Sequence, residues 1–342
     1  MFPIQLHFND SNTFVYRTVH QPEPAGMLQL KVDVYSPPEA TDNESPVLVY
    51  FHSGGLTAGS RQLNSWFPTW ILDHALSLGF TFIIPDYTLL VPGNAHDLLE
   101  DVKVLTNWLH TDLNKALQGT GLPDVRTEDI VVVGQSAGGY LAYLMSTHIN
   151  PPPKAVAIFY GMGGDFLSDM HVVPKKEKFQ HWAPFLIDPR PFETLENRGR
   201  KEGIILGCST EDETRVQYFS WMLQNAIFLD RLLGIPGISA ELGAMPRVER
   251  EAYIIHSAAR KFLPQLLIGP DFPPSYLVHG GADTAVLAEE SRNVVRKLEE
   301  FGVEHIYKEF GDLEHGFDWH DCPRRPELDD VIPFLLRHVN GS

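Results

Sequence analysis

The chain has 342 residues, 43% of them hydrophobic and 21% charged, which is enough apolar material for a large packed core and excludes a disordered or fibrous protein. The formal net charge of -17, from 27 Lys and Arg against 44 Asp and Glu, opposes nucleic acid and anionic membrane as partners. The densest basic run, Lys175, Lys176 and Lys178, is short enough to be a solvated loop. Cys208 and Cys322 are too few for a disulfide framework and lack metal-site spacing, so both are expected as free thiols, with no metal and no cofactor. The opening MFPIQLHFND has neither a basic leader nor a continuous apolar stretch, so no membrane anchor is expected and the cytoplasm is the default location.

In chain order, alternating residues predict strands over Thr13–His20 and Leu28–Tyr35, an antiparallel pair with Gly26 between them. Val47–Phe51 is a short, wholly apolar run, the texture of a strand covered on both faces. Further β-rich runs follow at Phe80–Ile84, Ile130–Val133, Ala155–Tyr160, Ser275–Val278 and Glu304–Phe310. Between them helical spacing predicts helices over about Leu63–Leu78, His96–Leu117, Ala137–His148 and Ala285–Phe301, with a last helix near Leu328–His338. Strand and helix alternating in this way predict an α/β fold with a mostly parallel sheet and helices on both faces.

One stretch breaks the rhythm. From Asp165 to about Asp271 proline-rich turns and two apparent helices replace the strand–helix unit, so the chain is read as a core in two parts, 1–164 and 272–342, with an inserted helical lid over 165–271. The first inserted helix, about Thr214–Leu233 and capped by Gly234, is apolar nearly all round, with Val216, Tyr218, Phe219, Trp221, Met222, Leu223, Ile227, Phe228, Leu229 and Leu232. A helix with so little polar face must bury against something. Trp221, Met222 and Phe228 are the candidate substrate-binding residues, although aromatic and Met stripes also serve as ordinary packing.

The chemistry gathers at strand ends. Gly134-Gln135-Ser136-Ala137-Gly138 follows the strand IVVV and opens a helix, the setting of a nucleophile elbow in which small residues allow a tight turn at a strained serine. His52-Ser53-Gly54-Gly55 follows VLVYF, where paired glycines leave backbone N–H groups open to a tetrahedral oxyanion. Asp283 lies just past the strand SYLV and His315 just past EHIYKEF. A hydroxyl needs a base to take its proton, and an imidazole needs a carboxylate to fix its tautomer, so Ser136, Asp283 and His315 form the candidate catalytic set. Asp165 is an alternative acid, His320 an alternative base, and His279 reads as a strand-end histidine with a structural partner.

The combination of H-S-G-G, G-Q-S-A-G-G, a post-strand Asp and E-H-G-F resembles the fold-3 group of α/β-hydrolases, the hormone-sensitive-lipase-like esterases. The resemblance runs from Val32–Pro37 through Asp86–Leu89 and Leu99–Val102 to the final helix, and the inserted segment matches poorly. It implies an α/β-hydrolase fold and an oxyanion hole donated by Gly54, Gly55 and Ala137. Family members usually carry Gly where Ser53 stands and an acidic residue where Gln135 stands. The general texture is also similar to hydrolases encoded with fungal polyketide pathways, which act on pathway intermediates rather than bulk lipids.

The expected activity is hydrolysis of an ester, or a related acyl bond, of an apolar small molecule through an acyl-enzyme on Ser136. One alternative keeps the acyl-enzyme and passes the acyl group to another acceptor, as in acyl transfer, lactonisation or thioester release of a polyketide-type intermediate. Another is a ligand receptor without catalysis, which would have no need of nucleophile, base, acid and oxyanion glycines together.

Overall fold

The computed structural model describes residues 11–22, 25–37, 44–62, 66–180, 187–202, 206–207, 213–319, 322 and 325–339. Its centre is one eight-stranded sheet in the order β1-β2-β4-β3-β5-β6-β7-β8. The strands are β1 (Asn12–His20), β2 (Met27–Tyr35), β3 (Ser45–Phe51), β4 (Thr81–Pro85), β5 (Val125–Gln135), β6 (Val156–Phe159), β7 (Ser275–Gly280) and β8 (His305–Phe310). The first two form an antiparallel hairpin with His20 opposite Met27, and β2 runs antiparallel to β4. All remaining pairings are parallel. The eight predicted strands are these eight, with ends shifted by a few residues.

Strand side chains alternate between faces, and the apolar runs therefore feed two cores. Val47, Val49 and Phe51 of β3 point into one, with Val132, Ile158 and Leu277, while Leu48 and Tyr50 enter the other with Val131, Val133 and Phe159. On the first face lie α2 (Ala95–Thr111), α3 (Leu113–Gln118), α4 (Ala137–His148) and α11 (Ala288–Phe301), and on the second lie α1 (Thr69–Ser77) and α12 (Val331–Val339). Local signals set their ends. Asn94 and Asp97 form a reciprocal capping box at the start of α2, and Gly302 at φ 67° closes α11 in the left-handed region. The predicted helix over Leu63–Leu78 starts only at Thr69, and Leu63 itself lies outside the described residues.

Between β6 and β7 the described residues hold six helices rather than the two expected: α5 (Asp169–Val172), α6 (Arg190–Glu202), α7 (Glu213–Gln224), α8 (Phe228–Leu233), α9 (Ile238–Gly243) and α10 (Arg247–Ile254). Most span too few turns to leave a readable period. The single helix expected over Thr214–Leu233 is two, because the chain turns at Ala226, whose φ is 50°. Gly234 does close the second, at φ 68°. The turn reorients everything after it, so Phe228, Leu229 and Leu232 enter the core on the α2 and α4 face. Cys322 forms no disulfide among the described residues, its Sγ lying 3.5 Å from the Gly316 carbonyl oxygen, and Cys208 lies outside them. Among the described residues no helix is long and apolar enough to cross a membrane.

Candidate active site

Strand β5 ends at Gln135 and α4 starts at Ala137, leaving Ser136 alone to make the turn with φ 54° and ψ -118°. A non-glycine residue there is held at a cost of about 1–3 kcal/mol, which the surrounding packing must over-determine. Small neighbours make it possible: a Cβ on Gly138 would stand 2.0 Å from the Phe51 carbonyl oxygen, so α4 can cross the end of β3 only with glycine there. The turn presents the Ser136 hydroxyl beside the first turn of α4, whose N–H groups have no intrahelical acceptor.

The loops after β7 and β8 bring the other two groups. His315 Nε2 lies 2.8 Å from Ser136 Oγ, and His315 Nδ1 lies 2.6 Å from Asp283 Oδ2. With Nδ1–H donating to the carboxylate, Nε2 is left to accept the serine proton. Asp283 Oδ1 accepts the backbone N–H of Ala285 at 2.8 Å and of Val286 at 2.9 Å, which fixes the carboxylate plane. Burial opposes its ionisation, but the charge of His315 and hydrogen bonds from His279 and His315 outweigh burial and hold the carboxyl well below the usual carboxylate range. Glu314 ties the two loops together by accepting the Thr284 N–H at 3.0 Å and the Thr284 hydroxyl at 3.1 Å.

Asp165 and His279 have partners of their own. Asp165 pairs with Arg247 at 2.6 Å, and His279 is wedged between the Ser291 hydroxyl at 2.7 Å and the Val286 carbonyl at 2.8 Å, reaching Asp283 only at 3.3 Å. His320 lies outside the described residues.

The loop after β3 is folded by the N–H groups of Thr57 and Ala58, which donate to the Gly54 carbonyl at 3.1 and 2.9 Å. Gly55 has φ 63°, and a Cβ there would meet Phe219 Cγ at 2.6 Å, so glycine lets α7 close against this loop. Arg215, buried at the start of α7, fastens the two by donating to the Thr57 carbonyl at 2.6 Å and the Leu90 carbonyl at 2.7 Å. His52 stacks on Tyr87 with ring centroids 4.1 Å apart, and burial brings its imidazole down to about 4, against the upward pull of its Ser53 carbonyl partner.

Beneath the elbow lies a buried polar network. Tyr50 donates to Gln135 Oε1 at 2.5 Å, Gln135 Nε2 donates to Asp318 Oδ1 at 3.1 Å and to the Tyr160 hydroxyl, and Tyr160 donates to Asp318 at 2.5 Å. Burial raises the Asp318 carboxyl, while hydrogen bonds from Tyr160 and Gln135 oppose the rise. The Tyr160 ring meets His315 edge to face at 4.5 Å.

Ser136 and His315 open into a cavity of about 300 Å³ walled by Ser53, Gly54, Gly55, Trp66, Val216, Phe219, Ser220, Ala285 and Trp319. Of the residues expected to bind substrate, none is on this wall. Met222 and Phe228 are fully buried in the core, and Trp221 packs against Phe192 and Tyr218 with centroids 5.3 and 5.7 Å away. The cavity face of α7 is Val216, Phe219 and Ser220, an i, i+3, i+4 set that an all-round apolar helix does not single out. Trp66, Ala285 and Trp319, from loops, carry no sequence signal at all. Among the described residues no cluster of His, Cys, Asp or Glu stands in metal-holding geometry.

Residues 32–157 match the BD-FAE family model. A solved esterase from the planctomycete Thermogutta terrifontis superposes with a TM-score of 0.55 at 17% identity, covering 96% of this chain and 92% of that one. The chain has the α/β-hydrolase fold. Two curated relatives align with the chain over part of their own length. "Probable carboxylesterase M8" of Phoma sp. is 36% identical over 107 residues, 30% of this chain and 33% of that protein. The non-reducing polyketide synthase ascC of Acremonium egyptiacum is 25% identical over 330 residues, 92% of this chain and 15% of the synthase. The chain thus spans a third or less of the length of either relative.

Proposed function

We propose that the protein hydrolyses a carboxylic ester of a small, largely apolar molecule, with Ser136 as nucleophile, His315 as base and Asp283 as the acid that orients it. The observation that carries this is the unbroken line from Asp283 to His315 to Ser136, at 2.6 and 2.8 Å, ending in an apolar-walled cavity. His315 takes the hydroxyl proton as Ser136 Oγ attacks the ester carbonyl, and the N–H groups of Gly54, Gly55 and Ala137 receive the oxyanion. His315 then returns the proton to the departing alkoxide, leaving an acyl group on Ser136. Water, activated by the same imidazole, releases the acid.

Segment 165–271 acts in this reading as a lid through α7 alone, whose Val216, Phe219 and Ser220 wall the cavity while α8 serves the core. The test is labelling by a fluorophosphonate together with turnover of short aryl esters: Ser136→Ala abolishes both, and a Ser136→Ala protein with full activity refutes the mechanism.

A second reading, transfer of the acyl group to an alcohol or thiol acceptor, is favoured by the alignment of nearly the whole chain with part of a polyketide synthase. Adding alcohol acceptors during ester turnover separates the two, since a transferase yields the new ester in preference to free acid.

A further inference from the structure

Two hydroxyls on the cavity wall have no partner among the described residues. Ser220 is 2% exposed and Ser53 is 6% exposed, and neither hydroxyl forms a hydrogen bond among the described residues. A serine inside a helix ordinarily donates back to the carbonyl four residues earlier, as Ser146 does to Ala142 at 2.8 Å in α4. Ser220 does not. It shares the cavity face of α7 with Val216 and Phe219, so its hydroxyl is turned toward the space above Ser136. Most of the surrounding wall is carbon, supplied by Val216, Phe219, Ala285 and the indoles. A hydroxyl left unmatched in such a place is costly, and the cost vanishes when a ligand oxygen fills the gap.

The side of the cavity matters. His315 protonates the leaving alkoxide, so the alcohol part of an ester lies toward the loop that carries His315 and Trp319. Helix α7 is built instead against the oxyanion loop, through Phe219 on Gly55 and Arg215 on Thr57. An acyl part placed on the α7 side of the same cavity meets Ser220 and Ser53.

We propose that Ser220, assisted by Ser53, is a specificity residue that hydrogen-bonds an oxygen on the acyl chain, so that the preferred substrates are hydroxy- or oxo-acyl esters rather than plain alkanoyl esters. This rests on the ester-hydrolase reading above.

The test compares para-nitrophenyl butanoate with para-nitrophenyl β-hydroxybutanoate on the full chain, each rate divided by its uncatalysed hydrolysis. The wild type is expected to favour the hydroxy ester roughly tenfold in kcat/KM, and Ser220→Ala to bring that ratio to within about twofold of unity. Ser220→Cys, which keeps the shape and loses most of the hydrogen bonding, gives the same collapse. Equal rates in the wild type, or a preference that survives both variants, overturns the proposal. So does a preference that appears only when the hydroxyl is moved to the alcohol part, as in ortho-hydroxyphenyl butanoate against phenyl butanoate. Cleavage without discrimination sinks this inference alone, whereas absence of both ester turnover and fluorophosphonate labelling sinks the hydrolase reading and this one with it.

Discussion

Replacing Asp283 by Asn tests the tautomer argument directly, because the surrounding donors leave the amide one orientation. Asp283 Oδ1 receives two backbone N–H groups, from Ala285 and Val286 at 2.8 and 2.9 Å. An Asn side chain can satisfy them only with its oxygen, which turns its NH₂ toward His315 Nδ1 in place of the acceptor now 2.6 Å away. Two donors cannot face each other there, so the imidazole must carry its proton on Nε2. That nitrogen then points a hydrogen at Ser136 Oγ and cannot accept one. The expected loss is roughly 10⁴-fold in kcat, about 5 kcal/mol of transition-state stabilisation, with little change in KM. Stopped-time assays on a para-nitrophenyl ester and the rate of fluorophosphonate labelling should fall together. Asp165→Asn, which only releases Arg247, should stay near wild type. An Asp283→Asn enzyme within tenfold of wild type, or a larger loss in Asp165→Asn, refutes the reasoning.

His52 makes stability depend on pH. Its value in the fold, about 4, lies below the ordinary 6.5, so between these the unfolded chain takes up a proton that the fold refuses. The stabilisation is therefore complete above pH 6.5 and falls by roughly 3 kcal/mol as the pH drops to 4, and urea titrations at several pH values should show this slope flattened in His52→Gln. Met222→Ala and Phe228→Ala should each cost roughly 2–5 kcal/mol of stability and leave the acyl-length profile unchanged, because both side chains are in the core. Phe219→Ala should instead shift kcat/KM toward longer acyl chains, since it opens the cavity wall, and an unchanged profile would remove α7 from the pocket. Gly138→Ala should fail to give soluble, cooperatively melting protein, because its methyl group would lie 2.0 Å from the Phe51 oxygen.

Much of this molecule was legible beforehand because its signals are local. Short apolar runs marked the strands, and the position of Ser136 between one of them and a helix marked the elbow. Asp283 and His315 were legible by a less local rule, that polar residues just past strand ends gather on one edge of a parallel sheet. The cavity wall obeyed no such rule. Val216 and Phe219 were visible only as two apolar residues among ten, and the turn at Ala226 hid that Phe219 reaches the cavity wall while Phe228 packs behind it, ring centroids 5.7 Å apart. Trp66 and Trp319 reach the site from loops, whose course depends on tertiary packing. Arg215 and Asp318 were silent for a different reason: a buried charged residue cannot be told from a surface one until its partners are known.

The network under the elbow bears on how such a chain can change over generations. The fold-3 resemblance implies an acid immediately before Ser136, whereas that position is Gln135 and the carboxylate of the network is Asp318, 183 residues further along and 3.1 Å away. Acids at both positions would crowd two negative charges into a buried site, and one would have to stay protonated. Apolar residues at both would leave the Tyr50 and Tyr160 hydroxyls without their acceptors. Positions 135 and 318, remote in sequence, are therefore coupled through shared buried partners, and what one tolerates depends on what stands at the other.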